Sequence, residues 1–143
     1  METIERLAIE ADCTRLMNEF SWCTDTFEYD KALSLFVPDC TLQRADEVFE
    51  GIDGLRSIME RRAPDRRTCH VVSGIVIDII DDNHARGKAN ALVFGYRGAK
   101  PGEEVPLDTA DSIVRFEGEF RRTDDGWKIA KWTIGMNFRK AAP

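Results

Sequence analysis

Two residues able to move protons stand in unusual company. Asp25 lies within FSWCTDTFEYDKALSLF, residues 20–36, with aromatic side chains before and after it. A carboxylate there is either a helix-end residue facing water or a base held in an apolar pocket, and acids are seldom buried unpaired. His70 opens the alternating run TCHVVSGIVIDII. A histidine on an apolar face is either a satisfied core residue or a proton carrier. The other histidine, His84, adjoins Asp81-Asp82-Asn83 and reads as surface. Cys13, Cys23, Cys40 and Cys69 form no C-x-x-C pair, and no second histidine falls at ligand spacing, so zinc is not expected. Cys23 and Cys69 have no base placed to activate them and read as packing thiols.

Composition narrows the class. A chain of 143 residues is the usual size of one domain, and 43% apolar residues suffice for a core. Twenty basic against 26 acidic residues give a net charge of −6, which argues against nucleic acid as a partner. The basic groups Arg61, Arg62, Arg66, Arg67 and Arg121, Arg122 have acids close by and read as solvated surface. No apolar run is long enough to span a membrane. METIERLAIEAD lacks the pattern of a secretory signal. With scattered cysteines, this points to a reducing cytoplasm.

The elements that must position Asp25 and His70 follow from periodicity. Ile9, Cys13, Leu16, Phe20, Cys23 and Phe27 step by three and four and predict a long first helix. On ideal geometry Asp25 shares a face with Asn18, Ser21 and Trp22, roughly opposite that stripe. Asp30 can cap a second helix over 31–36, stopped by Pro38-Asp39. CTLQRA and EVFE read as short strands, and GIDGLRSIMERRA as a third helix ended by Pro64. Four β-rich runs follow: TCHVVSGIVIDII, ARGKANALVFGYR, DTADSIVRFEGEFRRT and WKIAKWTIGMNF. Asp81-Asp82-Asn83 and Asp124-Asp125-Gly126 are hairpin turns between them, and RGAKPGEEVP is a longer polar connection. Alternation puts His70, Val72, Gly74 and Val76 on one face, and Val71, Ser73, Ile75 and Ile77 on the other. It also puts Ala130, Trp132, Ile134, Met136 and Phe138 on one face, an apolar wall suited to a terpenoid, aromatic or steroid-like molecule. The fold class expected is α+β: three N-terminal helices packed on a strongly curved antiparallel sheet, a cone with an internal cavity.

This order resembles the SnoaL-like branch of the nuclear-transport-factor-2-like (cystatin-like cone) superfamily over nearly the whole chain. RLAIEADCTRLMNEFSWCTD is similar to the family's first helix, which ends in a pocket Asp. EYDKALSLFVPDC is similar to its D-x-x-x-L-x-x-L-F-x-P-D signature. RTCHVV falls where many members carry a pocket His, and FEGEFRRTDDGWKIAKW resembles the closing hairpin. The resemblance implies a single SnoaL-like domain over 1–143. The superfamily holds dehydratases, a dehydrochlorinase, cyclases, isomerases, binding proteins and small oxygenase subunits, so fold alone gives no function.

Within it, the pattern is most similar to the scytalone and bile-acid dehydratases and lindane dehydrochlorinase. Asp25 and His70 match their Asp and His. The implied mechanism uses His70 as general base, oriented by the Asp25 carboxylate, to remove a proton beside a leaving group without a metal. Phe20 stands where those enzymes carry Tyr or Lys, and Trp132 where the dehydrochlorinase carries Arg. The leaving group must then be helped by another donor, from Thr14, Asn18, Ser21 or Asn137. Phe20, Trp22, Phe116, Trp132 and Asn137 are the expected substrate-binding residues. The expected activity is a cofactor-independent lyase or isomerase acting on an apolar small molecule. The alternatives are a ligand-binding protein without turnover and a structural oxygenase subunit. Related dehydratases also imply a homo-oligomer, trimer ahead of dimer, and Ile75, Ile77 and Ile79 need either a helix or another subunit against them.

Overall fold

A computed structural model describes residues 1–143. Helix α1 (Thr3–Asp25) buries Ile9, Cys13, Leu16, Met17, Phe20, Ser21 and Cys23. That arc is wider than the stripe of threes and fours, because Met17 and Ser21 are covered as well. The helix stops in a Schellman arrangement: Glu28 N–H donates to Cys23 O at 2.9 Å, and Phe27 N–H to Thr24 O at 3.4 Å. Phe27 takes the left-handed conformation (φ 59°) that such an ending requires. Its ring is held by Tyr29 at 5.7 Å and by the Arg62 guanidinium at 5.5 Å. Phe27 therefore lies beyond the helix, not on its buried stripe. Asp25 becomes the last helical residue, at the point where the chain turns away.

Helix α2 (Tyr29–Ser34) starts and ends two residues earlier than expected, and Asp30 sits in its first turn, not at its cap. Strand β1 (Phe36–Arg44) starts earlier and runs through Pro38. Strand β2 (Glu47–Glu50) pairs back on β1, and helix α3 (Gly51–Glu60) follows. The chain then makes a meander of β3 (Arg67–Asp81), β4 (His84–Tyr96), β5 (Ser112–Thr123) and β6 (Gly126–Arg139). The strand order is β2-β1-β6-β5-β4-β3. Neighbours are antiparallel except β1 and β6, which run parallel. The meander begins at the far edge and returns β6 to the flank of β1 in the same direction. The fold is α+β, with helices packed on a curved six-stranded sheet.

Bulges set which side chains face the helices. Ser73 pairs with Asn90 and Val76 with Lys88, so β3 holds one residue more than β4 across that interval. Gly74 takes up the excess at φ +67°, a conformation other residues resist. The alternation therefore inverts. His70 and Val72 face inward before the bulge, and Ile75, Ile77 and Ile79 pack on the core after it, while Val76 is exposed. This corrects the strict alternation expected from sequence, and gives the three isoleucines the core beneath α1 as their partner. In β6, a bulge at Ala130 lets Ile129 and Trp132 both point inward, and another falls at Asn137. Close seating of α1 depends on Gly87 of β4. A Cβ there would come within 2.8 Å of both Met17 Sδ and Phe120 Cε2, and 2.9 Å of Ile77 Cδ1.

Candidate active site

Strand β3 is an edge of the sheet, so alternate N–H groups along it lack a ladder partner. The carboxylate at the end of α1 covers that edge. His70 N–H donates to Asp25 Oδ2 at 2.8 Å, and the His70 ring Nδ1 lies 2.6 Å from Asp25 Oδ1. The Thr68 hydroxyl donates to the same Oδ1 at 2.7 Å and accepts from Arg62 Nη2 at 2.9 Å. In a neutral imidazole facing an ionised carboxylate, the favoured tautomer has the proton on Nδ1 and the lone pair on Nε2. The Asp25 and His70 side chains are 15% and 16% exposed, reachable but largely out of water.

Two opposing effects act on Asp25. Burial pushes its carboxyl up. The hydrogen bond and charge of His70, then the His70 N–H and the Thr68 hydroxyl, outweigh burial and hold it below the usual carboxylate range. An unfolded-state value of about 3.9 then lies above the folded one, and the unfolded chain binds more protons in between. The stabilisation is full above the unfolded value and is lost as pH falls through the folded value. Thermal unfolding between pH ~5 and pH ~2 should therefore depend less on pH in Asp25→Asn than in the parent chain. Parallel curves for the two proteins would remove Asp25 as a source of acid sensitivity.

Two cavities meet at this pair. An inner chamber of about 250 Å³ lies between α1, α3 and the sheet. Its apolar wall includes Phe20, Leu55, Met59, Phe116, Trp132 and Met136. An outer cleft of about 790 Å³ runs past Trp22, Phe27 and Lys100. Ser21, Arg66, Thr68 and His70 line both, so the dyad sits where the two join. Aromatic rings run as a chain along the chamber: Phe36 to Phe20 at 4.9 Å, Phe20 to Trp132 at 5.2 Å, Trp132 to Phe116 at 5.0 Å, and Phe116 to His70 at 6.1 Å.

The structure brings Phe20, Phe116 and Trp132 to the inner chamber with His70. It does not bring Trp22 there; that ring is 66% exposed and borders only the outer cleft. Asn137 is exposed at the β6 bulge and lines neither cavity, because the extra residue turns it away. Of the expected donors, Ser21 is buried at the junction and Asn18 lies in the outer cleft. His84 is exposed and paired with Asp81 at 2.9 Å. Cys13, Cys23 and Cys40 are buried, and burial pushes the Cys13 thiol up to about 12. Cys69 is exposed and lines the outer cleft, so it is no packing thiol.

Sequence reasoning missed Thr68, whose hydroxyl ties Asp25 to Arg62, and it missed the arginines. Arg62 and Arg66 are half-buried on the chamber wall, not plain solvated surface. It also passed over the indole N–H of Trp132, which is buried with no hydrogen-bond partner. No local pattern marks the two arginines, because they lie beyond α3 in irregular chain and nearby acids suggest pairing.

Comparisons with known proteins agree with this fold. The sequence matches the SnoaL-like domain over residues 5–133. No curated protein matches it by sequence. Among solved structures, a hexachlorocyclohexane dehydrochlorinase (LinA type 3) from Novosphingobium barchaimii superposes with TM-score 0.80 at 18% identity, covering 97% of this chain and 93% of that one. A candidate scytalone dehydratase from Novosphingobium aromaticivorans gives TM-score 0.79 at 20% identity, covering 99% and 93%. A cystatin-like protein of unknown function from Nostoc punctiforme gives 0.73 at 16% identity, covering 96% and 94%. At these identities the superpositions speak for the fold alone. The match to the domain over most of its length places this chain in the SnoaL-like domain family.

Proposed function

We propose that the protein is a cofactor-independent lyase of dehydratase or dehydrohalogenase type, acting on a small molecule with an apolar ring skeleton. The observation that carries this reading is the 2.6 Å contact between Asp25 and His70 at the junction of two cavities. His70 Nε2 takes a proton from the carbon beside the leaving group. The C–H electron pair becomes the new double bond. A hydroxyl leaves as water on receiving the proton from the imidazolium, and a halide leaves as the ion. Asp25 holds the ring and balances the imidazolium charge. Ser21 and the Trp132 N–H are the donors available to the departing group. A dehydrochlorinase and a candidate scytalone dehydratase among the structural neighbours support the same reaction class.

A panel of β-hydroxy and halogenated ring compounds tests this, with loss of water or halide read by mass spectrometry. Unsaturated product that requires His70 supports the lyase. Binding of several compounds with turnover of none points to a ligand-binding protein. That second reading has its own observation: Phe20 and Trp132 stand where the related enzymes carry an acid or a cation.

A homo-oligomer, trimer ahead of dimer, belongs to the same proposal. Met136 and Phe138, 52% and 62% exposed, leave apolar side chains at one end of β6, with Val71 and Val76 exposed on β3. Light scattering at micromolar concentration should give a mass of two or three chains, and a monomer mass removes this part.

A further inference from the structure

The inner chamber carries cations that no carboxylate contacts directly; the nearest link is from Arg62 through the Thr68 hydroxyl to Asp25. Arg44, Arg62 and Arg66 line it, and no aspartate or glutamate does. This is an unusual local balance in a chain with 26 acids against 20 bases. By contrast, Arg56 on α3 pairs with Asp30 at 3.1 Å, and Arg61 just past its end pairs with Glu47 at 3.5 Å. Arg44, Arg62 and Arg66 make no ion pair.

Arg62 is the most developed of the three. Its guanidinium lies over the Phe27 ring, and Nη2 is committed to Thr68. Those contacts fix the plane of the group. Its Nε is buried without any partner. A guanidinium has five N–H donors in a rigid fork that matches a carboxylate. Held in place, half-buried, with its Nε unpaired and no carboxylate in direct contact, it is better satisfied once an anion arrives. Arg66, four residues on, lines both the chamber and the cleft, so it borders the route inward.

We propose that the chamber binds its ligand as an anion, a small aromatic or alicyclic carboxylate whose acid group is held by Arg62 and Arg66 while its ring lies against Phe116 and Trp132. The inference rests on the chamber being the ligand site of the proposed lyase. About 250 Å³ is below the ~300–1,000 Å³ of clefts for drug-sized ligands, which suits one ring or two. Of the apolar wall expected from sequence, Trp132, Ile134 and Met136 line the chamber, whereas Ala130 and Phe138 do not. What sequence did not reveal is that the same chamber selects for charge.

The test is calorimetric binding of benzoate against benzamide, and of cyclohexanecarboxylate against its amide, near neutral pH. Each acid should bind about tenfold or more tightly than its amide, and added salt should weaken the acids alone. Arg62→Gln should weaken acid binding far more than amide binding, so that the acid preference is lost. Arg62→Lys should recover part of it, since a lysine keeps charge and loses the fork. If Arg62→Gln melts early because Thr68 loses its donor, Arg66→Gln serves instead, with the fold checked by circular dichroism. Amides that bind as well as acids, no binding of either, or an equal loss of both in the variants would each overturn the proposal. Turnover plays no part in these readouts. Acid-selective binding in a protein that transforms none of the lyase panel would keep the anchor and remove the lyase.

Discussion

Replacing His70 by alanine should lower kcat on any substrate from the lyase panel by about 10²–10⁴-fold, the usual contribution of a positioned general base. Asp25→Asn should fall in the same range for a different reason. The amide can turn its NH₂ toward Nδ1, which moves the ring proton to Nε2 and fills the lone pair needed for proton abstraction. It also withdraws the charge that balances the imidazolium. Because the two residues act as one device, the double variant should be little worse than either single one. Additive losses would mean that the carboxylate acts independently, for instance by holding the β3 edge through the His70 N–H. Thr68→Val separates these roles. It removes one hydrogen bond to Asp25 Oδ1 and the link to Arg62, yet leaves the Asp25–His70 contact itself. A His70→Ala protein retaining more than about a tenth of the parent activity would be incompatible with a base role.

The parts of this site that sequence could reveal were those governed by order along the chain. Helices ahead of a β meander gave the fold class, and the position of Asp25 after a long stripe, with His70 at the head of a long strand, marked both candidates. Ideal periodicity turned Asp25 outward; the structure covers that side because β3 lies across it, which is why Ser21, one turn earlier, is buried too. Facing along β3 and β6 was misread wherever a strand carries an extra residue. Gly74 inside an apolar run was a visible hint of a bulge, but Ala130 and Asn137 gave none. Those bulges decide that Ile75 faces the core and that Asn137 leaves the site. The parallel contact of β1 with β6 is equally silent in the sequence, since nothing local specifies which strand a returning β6 will meet. Arg62 and Arg66 were hidden differently: neighbouring acids suggested pairing, and only the fold reveals which arginines those acids reach.

Trp132→Ala should cost about 3–5 kcal/mol of stability, the range for removing a large buried aromatic side chain. Trp132 is 0% exposed and sits in the middle of the ring chain, edge-on to Phe20 and tilted against Phe116. Losing it removes two aromatic pairs, each worth about 0.5–1.5 kcal/mol beyond burial, and opens a hole beside the chamber. Against a total stability of about 5–15 kcal/mol for a domain, this brings the chain close to unfolding near its working temperature. Trp132→Phe should behave differently. It keeps a ring between Phe20 and Phe116, loses some volume, and removes an indole N–H that is buried without a partner. An unpaired buried donor costs about 1–3 kcal/mol, so its deletion offsets much of the lost packing. Urea unfolding of the two variants distinguishes the causes. A large loss for alanine with a small one for phenylalanine identifies the ring as the stabilising part and the N–H as a cost carried for the ligand. Equal losses would mean that the N–H is satisfied in solution, and Trp132 would then be wall alone. The phenylalanine variant also carries the functional half of the argument. If it is as stable as the parent yet slower on a hydroxyl or halide substrate, the N–H serves the leaving group.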